Sequence, residues 1–185
     1  EAQIAMIKHK ITHLCITKDG TPNSELVGLL SEHDLVVLHG NNPSVLIKEL
    51  KRAKDLNTLK YIREKTSNLL KGYIEQKIPI VFISNIISEI TNAITIKAIE
   101  LSLNEMDKKP PVKFGWLALG SQGRKEQLLI TDQDNALVFE DVPEEKYNET
   151  KNYFLNLSKI ITEKLNTVGF EYCPADMMAS NSKWC

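Results

Sequence analysis

Two adjacent prolines, Pro110 and Pro111, divide the sequence into a part with helical periodicity and a part in which strands and helices alternate. Proline has no backbone N–H group and cannot continue a helix, and three charged residues precede the pair at 107–109. We therefore predict a domain boundary here, with residues 43–108 before it and residues 109–185 after it.

The segment 43–108 predicts a small helical bundle. Pro43 stands at a helix start and Pro79 interrupts the apolar pattern, so we expect three helical stretches, the last of them rich in isoleucine. The second stretch carries apolar residues at helical spacing on one broad face: Leu56, Leu59, Ile62, Leu69, Leu70, Tyr73 and Ile74. Nothing in this segment points to chemistry, so we interpret it as scaffold, linker or dimer seam.

Residues 1–42 predict a helix, a strand, a turn, a second strand and a final helix. Ser31 is placed as the N-cap of that final helix, with Asp34 in its first turn. The segment is too short for a complete domain. Because the sequence starts at Glu1 and stops at Cys185 without a terminating signal, we expect a piece of a longer protein, truncated at its C-terminus.

The composition indicates an ordinary soluble chain. A formal net charge of −1 argues against a general nucleic-acid or membrane surface. No apolar run approaches the roughly 18 residues of a membrane span. The cysteines at 15, 173 and 185 match no zinc or redox spacing, which favours free thiols in a reducing cytoplasm. We expect Cys15 and Cys173 to be small buried apolar residues.

After the prolines, residues 109–185 predict the order strand, helix, strand, helix, strand, with Gly169 ending the long helix. Asp132 and Asp134 stand two residues apart at the start of a predicted strand, so both side chains point to one face. Adjacent carboxylates repel each other and are costly to bury without a cation between them. Mg²⁺ suits such ligands, although an isolated Asp-x-Asp is more often a solvated acidic turn.

The preceding strand strengthens the metal interpretation. Leu117–Leu119 lead directly into Gly120-Ser121, where a strand that opens a helix presents free backbone N–H groups to phosphate. Glycine allows close approach of the backbone, and Arg124 can clamp phosphate oxygens. The alternative is a tight strand-to-helix turn in which Arg124 pairs with Glu126.

The run "LGSQGRKEQLLITDQDNALV" at 119–138 resembles the signature of the DNA polymerase β-type nucleotidyltransferase superfamily. Its extended form is similar to that of protein-PII uridylyltransferases and glutamine synthetase adenylyltransferases. More closely, the chain resembles the CBS-domain-associated nucleotidyltransferases of bacterial signal-transduction proteins, with "YCPADMMASN" at 172–181 and Trp184 in support. The expected fold class is α+β: the C-terminal part of a CBS repeat at 1–42, the helical bundle, and a polymerase β-like α/β domain.

The resemblance implies transfer of a nucleoside monophosphate from a nucleoside triphosphate to a hydroxyl of a protein or small molecule, with Mg²⁺ (or Mn²⁺). Asp132 and Asp134 would be the catalytic metal ligands. The implied nucleotide contacts are Gly120, Ser121, Gly123, Arg124 and Glu126, of which Glu126 alternatively orients Arg124. A third carboxylate is expected after the long helix, with Glu171 and Asp176 as candidates. Without one, the chain would be a catalytically inactive nucleotide-binding regulatory module.

At the front end, "VGLLSEHDL" is similar to the end of a CBS repeat. There Ser31 and Asp34 would hold the ribose or phosphate of an adenine nucleotide, whereas the alternative is a simple helix cap. The expected partners are therefore a nucleoside triphosphate, a protein acceptor, and an adenine nucleotide at the CBS module of the full-length protein. We expect a cytoplasmic protein without membrane or nucleic-acid binding. The helical middle is compatible with a homodimer, and a purely structural dimerisation unit is a third interpretation.

Overall fold

The computed structural model describes residues 2–31, 43–128 and 132–185. The chain divides into two compact units, residues 1–46 and 47–185. Helices and strands are mixed in the α+β manner expected from the sequence.

The first unit contains helix α1 (Ala2–His9) and an antiparallel hairpin of β1 (His13–Thr17) and β2 (Leu26–Ser31). This confirms the predicted helix, strand, turn and strand, whereas the predicted helix after Ser31 lies outside the described residues. Cys15 is exposed, so our expectation of a buried thiol was wrong. In the described part of this unit β1 pairs with β2 alone, and three of the five β1 residues, His13, Cys15 and Ile16, are exposed.

Helix α2 (Pro43–Arg52) begins at the predicted proline and crosses from the first unit into the second. It is followed by α3 (Leu56–Glu75) and α4 (Ile80–Glu105), separated near Pro79 as predicted. The Asp55 side chain caps α3 by accepting a 2.8 Å hydrogen bond from the Thr58 amide.

The remainder of the second unit alternates strands and helices. The elements are β3 (Phe114–Ala118), the single-turn helix α5 (Gly120–Gly123), β4 (Asp132–Gln133), β5 (Asn135–Phe139), α6 (Glu144–Val168) and β6 (Glu171–Tyr172). Strands β3 and β5 are antiparallel, whereas β4 and β6 are parallel. Helix α6 ends at Gly169, which adopts the left-handed conformation predicted for that position.

One core joins the helical segment to the strands. Helices α3, α4 and α6 pack against one another, and Ile62, Ile90 and Phe154 are fully buried among them. Phe154 of α6 stacks on Phe139 of β5 with 5.0 Å between ring centroids. The predicted boundary between residues 108 and 109 therefore lies inside a single compact unit, although the predicted division into functional domains stays a prediction.

Helix α4 is, by length and composition, able to cross a membrane, which differs from our expectation that no such run exists. Its surroundings are those of a core helix, because it packs on α3 and α6. Its buried face includes hydroxyl residues as well as isoleucines, namely Ser88, Thr91, Thr95 and Ser102. Two of these hydroxyls, on Thr95 and Ser102, donate to backbone carbonyls one turn earlier.

Candidate functional site

The end of strand β3 lies directly against the aspartate segment. Ala118 pairs with Asn135 in the antiparallel ladder, and the Leu119 amide donates a 2.8 Å hydrogen bond to the Asp134 carbonyl. The chain then forms α5, closed by hydrogen bonds of 2.8 Å from the Gly123 amide to the Leu119 carbonyl and 3.2 Å from the Arg124 amide to the Gly120 carbonyl. The predicted phosphate-binding turn and the aspartates are thus neighbours on paired backbone.

Two glycines of this turn have no room for a side chain. Gly120 has a φ of +50°, and a Cβ atom there would lie 1.9 Å from Oδ2 of Asp134. A Cβ atom on Gly123 would lie 2.6 Å from the Ala118 carbonyl oxygen. Glycine is therefore required at both positions, at Gly120 by the left-handed backbone and by the carboxylate it faces.

The Asp134 carboxylate is in an unusual environment. Among the described residues, its buried Oδ1 atom has no hydrogen-bond partner, and neither Asp132 nor Asp134 pairs with a lysine or arginine. A buried carboxylate oxygen without a donor is costly, because the lost hydration is not replaced. A cation at this position would remove that cost.

A third potential ligand lies beside the two aspartates. One carboxylate oxygen of Asp132, one of Asp134 and the Sγ atom of Cys173 all lie within 4.8 Å of one another. Asp132 belongs to β4, Asp134 lies between β4 and β5, and Cys173 follows β6, the parallel partner of β4. The two aspartates therefore point to one face as predicted. The parallel pairing of β4 with β6 places the Cys173 thiol beside them.

Amide side chains fix the strands that carry the aspartates. Buried Gln133 donates hydrogen bonds of 3.0 Å to the carbonyls of Thr162 and Phe170. The Oδ1 atom of buried Asn135 accepts a 2.8 Å hydrogen bond from the Ala179 amide. These contacts explain why polar residues alternate with the aspartates, since Gln133 and Asn135 tie β4 and β5 to α6 and to the C-terminal segment.

Arg124 and Glu126 form an ion pair with 2.8 Å between Nε and Oε2. Both side chains are more than half exposed, at 64% and 60%, so the pair contributes little to stability. The pairing is the one anticipated by the tight-turn interpretation, and it also agrees with Glu126 as a residue that orients Arg124.

The helical segment touches the site at two places. The Gln122 side chain of α5 donates a 3.4 Å hydrogen bond to the Thr95 hydroxyl of α4. Arg63 of α3 is buried, with its guanidinium 4.2 Å from the ring centre of Phe170, immediately before β6. Burial lowers the pKa of Arg63 to about 10, so the group stays charged at neutral pH and stacks on Phe170 as a cation.

Comparison with family models matches residues 64–185 to the family described as "Putative nucleotidyltransferase DUF294". The chain belongs to this family. Comparison with curated proteins and with solved structures finds no match. The family assignment gives a nucleotidyltransferase-type domain, in agreement with the coarse part of the resemblance stated from sequence.

The matched region of this nucleotidyltransferase family begins inside α3 and includes all of α4. It therefore contains most of the helical segment that sequence patterning placed in a separate bundle. The packing agrees with this match, because α3 and α4 pack on α6 within the same compact unit.

The proposed third carboxylates lie elsewhere. Glu171 is exposed on β6, with its backbone opposite Asp132. Asp176 has a φ of +55° and accepts a 2.8 Å hydrogen bond from the Asn181 side chain. Neither belongs to the cluster with Asp132 and Asp134, so their assignment as metal ligands stays a prediction.

In the first unit, Ser31 ends β2 opposite His13, and Asp34 lies outside the described residues. The proposed adenine-nucleotide role of this pair stays a prediction.

Sequence reasoning missed Cys173, Gln133 and Asn135 as parts of the site. A lone cysteine without metal-ligand spacing gives no signal by itself. The polar residues within "DQDN" do carry a signal, because polar side chains inside a buried strand indicate specific hydrogen bonds.

Proposed function

We propose that the chain catalyses the metal-dependent transfer of a nucleoside monophosphate from a nucleoside triphosphate to a hydroxyl group of a protein or small molecule. The observation that supports this most directly is the buried, unpartnered Oδ1 atom of Asp134, beside Asp132 and against Gly120. Together with the family assignment, this oxygen supports a cation site next to a turn that is suited to binding phosphate.

The residues present fit a divalent cation. Oxygens of the two carboxylates lie within 4.8 Å of each other, and one carboxylate oxygen lacks a hydrogen-bond donor among residues 2–31, 43–128 and 132–185. Asp132 and Asp134 would hold the ion, Mg²⁺ or Mn²⁺ by the general preference of carboxylate sites. When bound, such an ion neutralises charge on the triphosphate as the phosphoryl bond is exchanged.

The rest of the site serves to hold the triphosphate. The first backbone N–H groups of α5, at Gly120 and Ser121, have no acceptor within so short a helix and can donate to phosphate oxygens. Absence of a side chain at Gly120 lets the phosphates approach the backbone. Exposed Arg124 can exchange its contact with Glu126 for a bidentate contact with phosphate.

The reaction forms a bond between the acceptor hydroxyl oxygen and the α-phosphorus atom. The bond between that phosphorus and the oxygen bridging to the β-phosphate breaks, pyrophosphate leaves, and the hydroxyl loses its proton. The protein contributes position and charge neutralisation, which are the main sources of rate in phosphoryl transfer.

The test uses the full chain with each of ATP, GTP, UTP and CTP, labelled at the α-phosphate, and either Mg²⁺ or Mn²⁺. We expect pyrophosphate release and transfer of label with at least one nucleotide, and loss of both in the double variant Asp132→Asn, Asp134→Asn. Asp141→Asn, an exposed aspartate outside the site, is the matched control and should retain activity.

Binding of nucleotide without pyrophosphate release, with every nucleotide and metal, would instead support the catalytically inactive regulatory module. That alternative draws on the fact that the described cluster contains a thiol and not a third carboxylate. Nucleotide binding that is unchanged in the double variant would remove the two aspartates from the site.

A further inference from the structure

Cys173 is in a place where a cysteine of purely apolar role is not expected. The residue is 6% exposed, and its thiol is free of any disulfide. Its Sγ atom faces two carboxylates, within 4.8 Å of an oxygen of each. A buried thiol that only fills space would be surrounded by apolar side chains.

A second observation points to a ligand at the same place. Oδ1 of Asp134, in the same cluster, is buried and finds no hydrogen-bond partner in the part of the chain that the structure describes. The Cys173 thiol does not donate a hydrogen bond to this oxygen. The other oxygen of the carboxylate, Oδ2, faces Gly120, where there is no room for a side chain. The cluster is thus polar and contains one buried acceptor that lacks a donor, which a cation would satisfy.

Distances allow all three groups to bind one ion. At tetrahedral angles, metal–oxygen bonds of about 2.0–2.2 Å and metal–sulfur bonds of about 2.3 Å place two ligands of the same ion roughly 3.3–3.7 Å apart. Closing the observed limit of 4.8 Å to that distance requires side-chain movements of about 1 Å. Strand pairing of β4 with β6 holds the backbone of the two segments in register for this.

We propose that Cys173 is the third protein ligand of the metal site and that it gives the site a preference for thiophilic divalent ions such as Zn²⁺ over Mg²⁺. Mg²⁺ binds oxygen ligands almost exclusively, whereas a thiolate is a soft donor that favours zinc and its substitutes Co²⁺ and Cd²⁺. Three protein ligands leave a fourth position open, as in catalytic zinc sites. This inference rests on the proposed function in that the same two aspartates hold the metal, and it replaces the Mg²⁺ or Mn²⁺ expected from carboxylates alone by Zn²⁺, so the pyrophosphate-release assay is run with Zn²⁺ as well.

The direct test is the electronic spectrum of the Co²⁺-loaded full chain. Thiolate ligation produces a sulfur-to-cobalt charge-transfer band in the near ultraviolet, which carboxylates alone do not give. We expect this band in the wild-type protein and in Cys15→Ser, an exposed cysteine in the other unit. We expect it to be absent in Cys173→Ser. Wild-type protein that binds Co²⁺ without the band, or a band that persists in Cys173→Ser, would overturn the proposal.

Affinity supplies a second measurement. Competition with a chromophoric chelator should show Zn²⁺ affinity lowered on the order of 10- to 100-fold in Cys173→Ser, with Mg²⁺ affinity changed by less than about twofold, as expected for an ion that binds oxygen ligands. Cys173→Asp should shift the preference toward Mg²⁺, because it restores an oxygen donor. That variant also guards against misfolding, since Mg²⁺ binding tighter than that of the wild type requires an intact site. Equal Zn²⁺ affinity in all three proteins would contradict ligation by the thiol.

The two proposals fail separately. A thiolate band with no pyrophosphate release under any condition would leave Cys173 as a ligand and remove the transferase activity. Pyrophosphate release with Mg²⁺ from a protein that shows no thiolate band would do the reverse.

Discussion

At the scale of single residues, the contact between Gly120 and Asp134 determines whether the site can exist. Two features disfavour a side chain at this position. The φ of +50° is left-handed, and an added Cβ atom would lie 1.9 Å from Oδ2 of Asp134. The carboxylate can hold its position only because residue 120 has no side chain.

We predict that Gly120→Ala loses metal-dependent nucleotide binding and is destabilised. The left-handed backbone alone costs about 1–2 kcal/mol for alanine, and the added carbon displaces the Asp134 carboxylate. Isothermal titration with nucleotide and metal measures the first effect, and thermal unfolding measures the second. Gly72→Ala is the matched control, because a Cβ atom at this position, in the C-terminal part of α3, meets nothing within 4 Å. It should retain binding and gain up to roughly 1 kcal/mol. Wild-type affinity in Gly120→Ala would show that Asp134 is not held in this way.

The sequence predicted those site residues whose role follows from local spacing. Asp132 and Asp134 share a face because side chains alternate along extended backbone, and Gly120 precedes a helical turn. Cys173 could not be predicted, because it reaches the aspartates through the parallel pairing of β6 with β4, and that pairing is a property of the fold. Gln133 likewise binds carbonyls of α6 and of the residue before β6, which are 29 and 37 positions away.

At the scale of elements, α3 shows how a helix end depends on one side chain. The amide and the hydroxyl of Thr58 both donate to Asp55 Oδ1, at 2.8 and 3.0 Å. These hydrogen bonds hold the pKa of the Asp55 carboxyl below its usual value, and the hydrogen bond from the Thr58 amide has the larger effect. The helix therefore begins at Leu56 with one of its free amides satisfied.

We predict that Asp55→Ala lowers the melting temperature at neutral pH and that this difference shrinks in acid. Because the folded-state pKa is lowered, the stabilisation by the carboxylate is present above the unfolded-state pKa of about 3.9 and is lost as the pH falls through the folded-state value. Asp55→Asn is the control, since its amide oxygen caps the helix without titrating. Thermal unfolding of the three proteins across the acid range measures the effect. A difference between the wild type and Asp55→Ala that does not vary with pH would contradict the prediction.

Element boundaries followed from the sequence where punctuation is strong. Pro43, Pro79 and Gly169 mark helix ends in both the pattern and the structure. The face of α3 was predicted less completely: Leu59 and Ile62 are buried, but Ile74 is 53% exposed. Ile74 lies in the last turn of α3, next to its C-terminus at Glu75. Periodicity identifies a face of a helix but not how far along it the neighbouring helices extend.

At the scale of the whole molecule, the second unit is held together by helices from both sides of the proline pair. Ile94 of α4 is fully buried, and α4 packs against both α3 and α6. Composition and local pattern changed sharply at Pro110, and this change suggested separate domains. Long-range packing of α4 on α6 is not visible in local pattern, which is why the sequence did not indicate that residues before and after the prolines lie in one compact unit.

This packing predicts that the helices and the site unfold together. Both tryptophans, Trp116 on β3 and Trp184, lie in the region after the prolines, whereas far-ultraviolet circular dichroism reports mainly on the helices. We expect the two signals to change at the same temperature.

Ile94→Ala should lower that temperature for both signals by the same amount, because it removes about 2–5 kcal/mol from the shared core. The exposed position Ile96 provides the control, and Ile96→Ala should leave both transitions nearly unchanged. A different result would be an Ile94→Ala variant in which the circular-dichroism transition moves and the tryptophan transition does not. In that case α4 would belong to an independent helical domain, and the contacts of α4 with the site could not stabilise the site.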